Sequence, residues 1–178
     1  MDKTKWVLDL SHSSIEFKIK HLVIATITGH FRAFFGTLYA SEDDFTDARF
    51  EITVDVYSID TNNADRDEHL KSAQFFNADY YPEMYLRSTS FNHVEGDNYK
   101  LNANVTIKGI TREVSLDALF GGEAKDGFGT MRAGFEIFGV VNRNDYDIHS
   151  DDVTEAGGLV LGEDIKVHGY LQFIKQDD

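Results

Sequence analysis

Residues 49–56, Arg-Phe-Glu-Ile-Thr-Val-Asp-Val, carry the pattern that decides the fold of this chain. Phe50, Ile52, Val54 and Val56 alternate with charged or polar residues, so an extended strand here has one apolar and one polar side. The same period of two recurs at 14–20, 100–107, 113–118, 131–137 and 165–173. Weaker strands are expected at 5–10, 30–39 and 83–91. The pattern predicts about eight or nine strands that share one interior.

The links between several of these segments are short. Turn signals lie at 95–98, 108–111 and 126–129. Short links join antiparallel neighbours, because parallel strands need long crossovers. Strands this numerous avoid exposed edges best by closing into a barrel, whose interior is then either filled by side chains or holds one small ligand. We predict an all-β, largely up-and-down barrel that forms a single domain over residues 1–178.

Composition narrows the classes of partner. A formal charge of −14 over 178 residues repels nucleic acid and anionic lipid surfaces, so we expect no nucleic-acid partner. No stretch approaches the roughly 18 apolar residues that a membrane span needs, so we expect no stable membrane insertion. The chain has no cysteine, which excludes disulfides and thiolate nucleophiles. The start Met-Asp-Lys-Thr-Lys-Trp has no apolar signal core, so we expect a cytoplasmic protein.

Two stretches depart from the strand pattern. Between Asp60 and Pro82 we expect one or two short helices over a barrel opening, with Thr61 capping the first helix. Leu70, Phe75 and Phe76 supply the apolar side of this segment. Residues 142–158 are rich in Asp, Asn and Gly and are expected to form a long loop.

Groups with potential chemistry are few, and each has a simpler interpretation. Asp65, Asp67 and His69 carry ligand atoms for a metal, but on a helix they point to different sides. The set Asp147, His149, Asp151 and Asp152 lacks the spacing of a known calcium loop. Ser11 and His12 are adjacent, and on a strand they would face opposite sides. We therefore predict no metal site, no cofactor and no catalytic residues from these groups.

Several stretches together resemble the YceI family of lipocalin-like, polyisoprenoid-binding proteins. The most specific block is Ser58-Ile-Asp-Thr61, Arg66-Asp-x-His-Leu-x-Ser72, Phe75-Phe76 and Tyr81-Pro82. The resemblance also covers Trp6 and Asp9, His12-Ser-x-Ile-x-Phe-x-x-x-His21, Gly29-x-Phe-x-x-Phe34, Gly109-Ile-Thr-Arg-x-Val114 and Asn142-Arg-x-Asp-Tyr146. It extends in order over nearly the whole chain.

The resemblance implies an extended eight-stranded antiparallel barrel, with a tunnel for a long isoprenoid or fatty chain and often a dimer. The resemblance therefore implies a non-enzymatic carrier, storage or sequestration protein, with no cofactor apart from a bound lipid such as a polyisoprenoid, an isoprenoid quinone or a fatty-acid derivative. Two features depart from the family pattern. Many members carry a secretory signal, which we do not expect here because of the start Met-Asp-Lys-Thr-Lys-Trp, and Tyr146-Asp147 stands where members usually have Phe-Gly.

Candidate ligand-binding residues follow from the inward faces and from the family blocks. Those expected to line the apolar chain are Phe17, Ile19, Phe31, Phe50, Ile52, Leu101, Val105, Met131, Phe135 and Leu171, with Phe75 and Phe76 on the helical segment. His21, Arg66, His69 and Arg143 are expected at the tunnel mouth, since a phosphate, quinone or carboxylate head group needs hydrogen-bond donors. The alternative is a structural or protein-interaction barrel whose aromatic residues fill the core and leave no room for a ligand.

Overall fold

Eleven β-strands form one antiparallel sheet in the computed structural model, which describes residues 2–41, 44–150 and 160–177. The strands are β1 (Thr4–Leu8), β2 (Ser14–His21), β3 (Ala25–Phe31), β4 (Phe34–Ala40), β5 (Arg49–Asp55), β6 (Ile59–Asp60), β7 (Glu83–Glu95), β8 (Asn98–Ile107), β9 (Ile110–Lys125), β10 (Met131–Asn142) and β11 (Asp164–Lys175). In this described part, one α-helix, α1 (Ala64–Lys71), lies between β6 and β7. Short 3₁₀ turns cover Leu10–His12, Val56–Ser58 and Arg143–Tyr146. None of the helices in these ranges is long and apolar enough to cross a membrane.

The sheet closes because β1 pairs with both β4 and β11. The closed circle has eight strands in the order β1, β4, β5, β7, β8, β9, β10 and β11. β2, β3 and β6 continue the positions of β1, β4 and β5 beyond short interruptions, so β11 pairs with β1 at one end and with β2 at the other. The prediction of an eight-stranded antiparallel barrel is confirmed.

The strand expected at 30–39 is instead two strands, broken at Arg32 and Ala33. The Arg32 amide donates to the Ser58 carbonyl, and the Asp55 amide donates to the Ala33 carbonyl. These backbone groups therefore bond to the end of β5 and to the β5–β6 connection rather than continue one ladder. The strand is broken at this point: β3 pairs with β2 and β6, whereas β4 pairs with β1 and β5, which defines two levels of the barrel.

The strands β7 to β10 form long consecutive hairpins at the predicted turns. Between β8 and β9, Ile107 pairs with Ile110 across the two residues Lys108 and Gly109, which have φ values of 52° and 73°. Two consecutive positive φ values are typical of a type I′ turn, whose twist matches that of the strands. A β-carbon at Gly109 would also stand 2.6 Å from the Tyr81 ring, so glycine fits this position for two reasons.

One side of the barrel wall is not closed by a ladder. The β5–β7 ladder ends at the pair Asp55 and Glu83, and β6 pairs with β3 in the described sheet. Residues 61–82, which include α1, occupy the space between β6 and β7. The expected helical cover is thus one α-helix followed by a series of turns.

Candidate functional site

A cavity of about 240 Å³ lies inside the barrel at the level of β2, β3 and β6. Its wall is almost entirely apolar because the inward positions of the alternating strands face it. Those positions are Ile15, Phe17, Ile19, Ile27, Phe31, Ile52, Val54, Met84, Leu86, Val105, Ile107, Leu116, Ile137, Val141, Ile165, Val167 and Leu171. The period of two read from the sequence therefore predicts the sides of the strands that face this cavity.

The ring of Phe17 depends on a glycine on the neighbouring strand. Phe17 on β2 pairs with Gly29 on β3, and a β-carbon at Gly29 would stand 2.3 Å from the Phe17 ring. The ring also contacts Phe31, with centroids 5.4 Å apart. Gly29 thus gives Phe17 room to lie against the wall rather than across the cavity.

The helical segment covers the cavity from the open side of the wall. Leu70, Phe75 and Phe76 line the cavity, and the Phe76 ring meets Phe31 edge-on at 6.1 Å. The N-cap of α1 is Asn63, whose side chain accepts a hydrogen bond from the Arg66 amide. The prediction that Thr61 caps this helix is therefore wrong.

Thr61 is instead buried and is hydrogen-bonded to two side chains of the helix. Its amide and hydroxyl both donate to Asp67, at 2.9 and 2.6 Å. Arg66 donates from Nε to the Thr61 hydroxyl at 2.7 Å and from Nη2 to the Thr61 carbonyl at 2.5 Å. Since a guanidinium has five N–H groups, three of those on Arg66, which also lines the cavity, are free of these two bonds.

Arg143 has a different environment, although the sequence placed it beside Arg66 at the mouth. It is 3% exposed and lines the cavity. All five of its N–H groups are engaged, by the carbonyls of Gly162, Ile148, Ser150 and Leu161 and by the Asn144 side chain. Arg143 therefore braces the connection between β10 and β11, and it has no N–H left for a head group.

The residue pair that departs from the family pattern lies next to Arg143. Asp147 has φ of 56°, the left-handed region that glycine enters freely and that Asp and Asn tolerate better than most other residues. Tyr146 is 1% exposed beside Phe75 and Ile148, and its burial raises its pKa to about 12. The loop thus keeps a sharp turn without glycine.

The other half of the barrel is solid. We call its seven packed rings the aromatic plug; they are Trp6, Phe45, Phe50, Phe91, Phe120, Phe135 and Phe173. Phe50 and Phe173 are fully buried, and Phe135 contacts Phe50 at 5.3 Å and Phe120 at 5.1 Å between centroids. The sequence left a filled core and a hollow barrel as alternatives, and the structure contains both at different levels.

The predicted site residues divide accordingly. Those that line the cavity are Phe17, Ile19, Phe31, Ile52, Arg66, Phe75, Phe76, Val105, Arg143 and Leu171. Phe50, Leu101, Met131 and Phe135 do not line it, because they pack in or against the core at the plug end. Leu70, Leu116 and Ile137 line it and were missed as site residues, although the alternation already placed Leu116 and Ile137 on inward faces.

The two histidines expected at the mouth also lie outside the lining. His69 is exposed; its Nε2 lies 2.7 Å from the Gln74 side-chain oxygen and its ring packs edge-on against Phe75. His21 ends β2 and forms a backbone bridge with Leu161. Neither imidazole therefore contributes to the cavity wall.

No group of three or more His, Asp or Glu side chains within the described ranges is arranged to hold a metal ion. Asp67 bonds to Thr61 while His69 bonds to Gln74, so the side chains of these two residues do not converge on a shared ion. Asp147 and His149 lie 2.9 Å apart, whereas Asp151 and Asp152 lie outside the described residues.

Ser11 and His12 lie in a 3₁₀ turn rather than on a strand, so the prediction that their side chains face opposite sides of a strand is wrong. Nδ1 of His12 faces both Asp9, at 2.7 Å, and Ser11, at 3.1 Å. A relay needs the base to contact the acid and the nucleophile through different ring nitrogens. This exposed cluster therefore lacks the geometry of a triad.

Fold and cavity together define the class of this protein, a small antiparallel barrel with an apolar interior that is hollow at one level and filled at the other. The family model of the YceI-like domain matches residues 6–173 of this chain, and the chain belongs to this family. A UPF0312 protein of Staphylococcus aureus is 35% identical over 173 residues, which cover 96% of this chain and 97% of that protein.

Solved structures agree with this assignment. A YceI protein of Campylobacter jejuni superposes with a TM-score of 0.76 at 26% identity and covers 89% of this chain and 90% of its own. A domain from Saccharophagus degradans, described as polyisoprenoid binding, has a TM-score of 0.73 at 14% identity and covers 96% and 98% of the two chains. At this low identity the second likeness concerns the fold alone.

Proposed function

We propose that this protein binds an isoprenoid or similar amphiphilic lipid, without catalysis, as a carrier, storage or sequestration protein. The observation that carries the proposal is the cavity of about 240 Å³, whose wall is almost entirely apolar, with Arg66 among its few polar lining residues. Pockets of this type are characteristic of small-molecule sites. The Saccharophagus degradans domain, which shares this fold, is described as polyisoprenoid binding, and we propose a ligand of the same class for this cavity.

Energetics favour an occupied cavity. An empty space of about 240 Å³ costs on the order of 6 kcal/mol at about 24 cal/mol per Å³. This is comparable with the roughly 5–15 kcal/mol of net stability that a domain has. Each methylene that enters contributes about 0.8 kcal/mol. A hydrocarbon chain therefore stabilises the barrel and is itself held without specific polar contacts.

Arg66 is the group best placed for the head of such a lipid. It lies on the cover, lines the cavity, and has three N–H groups beyond its two bonds to Thr61. Arg143 does not serve this purpose, because its N–H groups are all engaged. We propose that the chain lies in the cavity and that an oxygen-bearing head accepts hydrogen bonds from Arg66.

Native mass spectrometry of gently purified protein, followed by organic extraction, tests the main proposal. We expect a lipid at substantial occupancy in the wild type and a marked loss in Leu86→Trp, which fills the cavity. Arg87→Trp places the same ring outside the barrel on the next residue and should keep the lipid. Wild-type protein that is free of lipid and also fails to bind added lipid would contradict the proposal.

The head-group assignment has its own test. Arg66→Met should weaken binding of decanoic acid by about 10-fold or more, the value of one hydrogen bond to a charged group. Binding of decan-1-ol should change much less, because its hydroxyl carries no charge. Equal losses for the acid and the alcohol would mean that Arg66 supports the cover rather than the head.

A cytoplasmic location and a homodimer stay predictions.

A further inference from the structure

The aromatic plug ends the cavity at one level on several strands. On β5 the lining residue Ile52 is followed, at the next inward position, by the plug residue Phe50. On β11 the same change occurs from Leu171 to Phe173. The floor of the cavity is therefore a transverse layer of packed rings rather than one protruding side chain.

This floor is closed tightly. Phe50, Leu101 and Phe173 are each 0% exposed, and Phe135 is 3% exposed. The Phe135 ring lies 5.1 to 6.1 Å from five other ring centroids, those of Phe45, Phe50, Phe91, Phe120 and Phe173. Interiors packed in this way leave few voids larger than a water molecule, so a hydrocarbon chain cannot pass without displacing several rings.

The cavity above the floor sets a length. An apolar cavity of about 150 Å³ holds benzene, which is roughly 25 Å³ per carbon. By that measure about 240 Å³ holds about ten carbons, the content of two isoprene units. A chain of forty carbons would need on the order of 1,000 Å³ on the same scale. The barrel thus encloses a short chain or only the end of a long one.

We infer that this protein selects amphiphiles by chain length, and that its barrel encloses about ten carbons of a single alkyl or isoprenoid chain above the aromatic plug. The inference rests on the proposed function and names the part of the ligand that the barrel contains. Carbons beyond this number remain at the mouth and add little affinity. A head group reaches Arg66 on the cover best when the chain has about this length.

The test is a series of saturated fatty acids of six to sixteen carbons, each below its micelle concentration, titrated calorimetrically into delipidated wild-type protein. Affinity should rise about 4-fold per carbon, which corresponds to about 0.8 kcal/mol per methylene. The rise should stop at about ten carbons. A constant increment through sixteen carbons would overturn the chain-length inference and leave lipid binding intact, whereas no saturable binding at any length would overturn both.

A pair of variants locates the limit inside the barrel. Val105 lines the cavity on β8, while Asn104 beside it is exposed on the outer face. Val105→Phe adds four carbons to the wall, so the limit should fall to about six carbons and decanoic acid should bind on the order of 100-fold more weakly. Asn104→Phe should keep the wild-type limit. An unchanged limit in Val105→Phe would refute the assignment of the chain to this cavity.

Discussion

Two substitutions on one strand should separate the solid half of the barrel from the hollow half. Phe50→Trp adds three ring atoms at a position that is 0% exposed and has ring neighbours at 5.2 to 5.9 Å. Overpacking of such a site costs about 1–3 kcal/mol. For a domain of this size, about 2 kcal/mol corresponds to a fall of about 4–8 °C in Tm.

Ile52→Phe, two residues further along the same strand, should have the opposite effect. It also adds three carbons, but it adds them to a cavity of about 240 Å³. At about 25 Å³ per carbon the new ring fills about 75 Å³, and removing that empty volume stabilises the delipidated protein by up to about 2 kcal/mol. Lipid binding should weaken at the same time.

The assay is urea denaturation of both delipidated variants, followed by circular dichroism, with lipid titration as the second readout. We expect a lower midpoint for Phe50→Trp and an equal or higher midpoint for Ile52→Phe. The reasoning is refuted if Ile52→Phe loses as much stability as Phe50→Trp, because the two positions would then be packed alike.

Three further predictions concern the wall, the cover and pH. Gly29→Ala places a methyl group against the Phe17 ring and should push that ring into the cavity. Lipid binding measured by titration should weaken several-fold, and unchanged affinity would contradict this. Tyr57→Phe removes the 2.5 Å hydrogen bond to Asp79 that holds the residues after α1. Stopped-flow displacement should then show faster lipid release, while the stability of the protein stays nearly unchanged. An unaltered release rate would exclude this segment as the exit of the lipid. Hydrogen bonds from the Ser41 amide and hydroxyl, together with Lys3, lower the pKa of Asp47 from 3.8 to about 2. Because the folded pKa lies below the unfolded one, this stabilisation is complete above about pH 4 and is lost as pH falls through about 2. Denaturation midpoints of Asp47→Asn should therefore decline less over that window than those of the wild type, and equal declines would refute the assignment.

Local pattern was sufficient where one face of a strand had to be buried. Phe17, Ile52 and Leu171 alternate with polar residues, and each lines the cavity as that period requires. Short turns such as Lys108-Gly109 indicated antiparallel neighbours, and the ladder between β8 and β9 confirms them. The break at Arg32 and Ala33 was not predicted, because their backbone groups bond to residues more than twenty positions away.

The polar groups at the mouth could not be ranked from sequence. Arg66 and Arg143 are the same residue type and both line the cavity. The N–H groups of Arg143 bond to carbonyls in the connection between β10 and β11, whereas Arg66 has two bonds to one neighbour, Thr61. The number of N–H groups left for a ligand depends on the path of distant backbone, which residue spacing does not encode.

The sequence by itself determined that the strands alternate, which faces point inward, and that the chain closes into an antiparallel barrel. Tertiary structure alone decided which inward residues meet across the barrel and which leave a space. Phe50 and Ile52 share one face of one strand, yet the first packs against the rings of Phe91, Phe135 and Phe173 and the second borders the cavity. The physical reason is that alternation specifies a direction, whereas filling depends on the summed volume of side chains that converge from all the strands at one level.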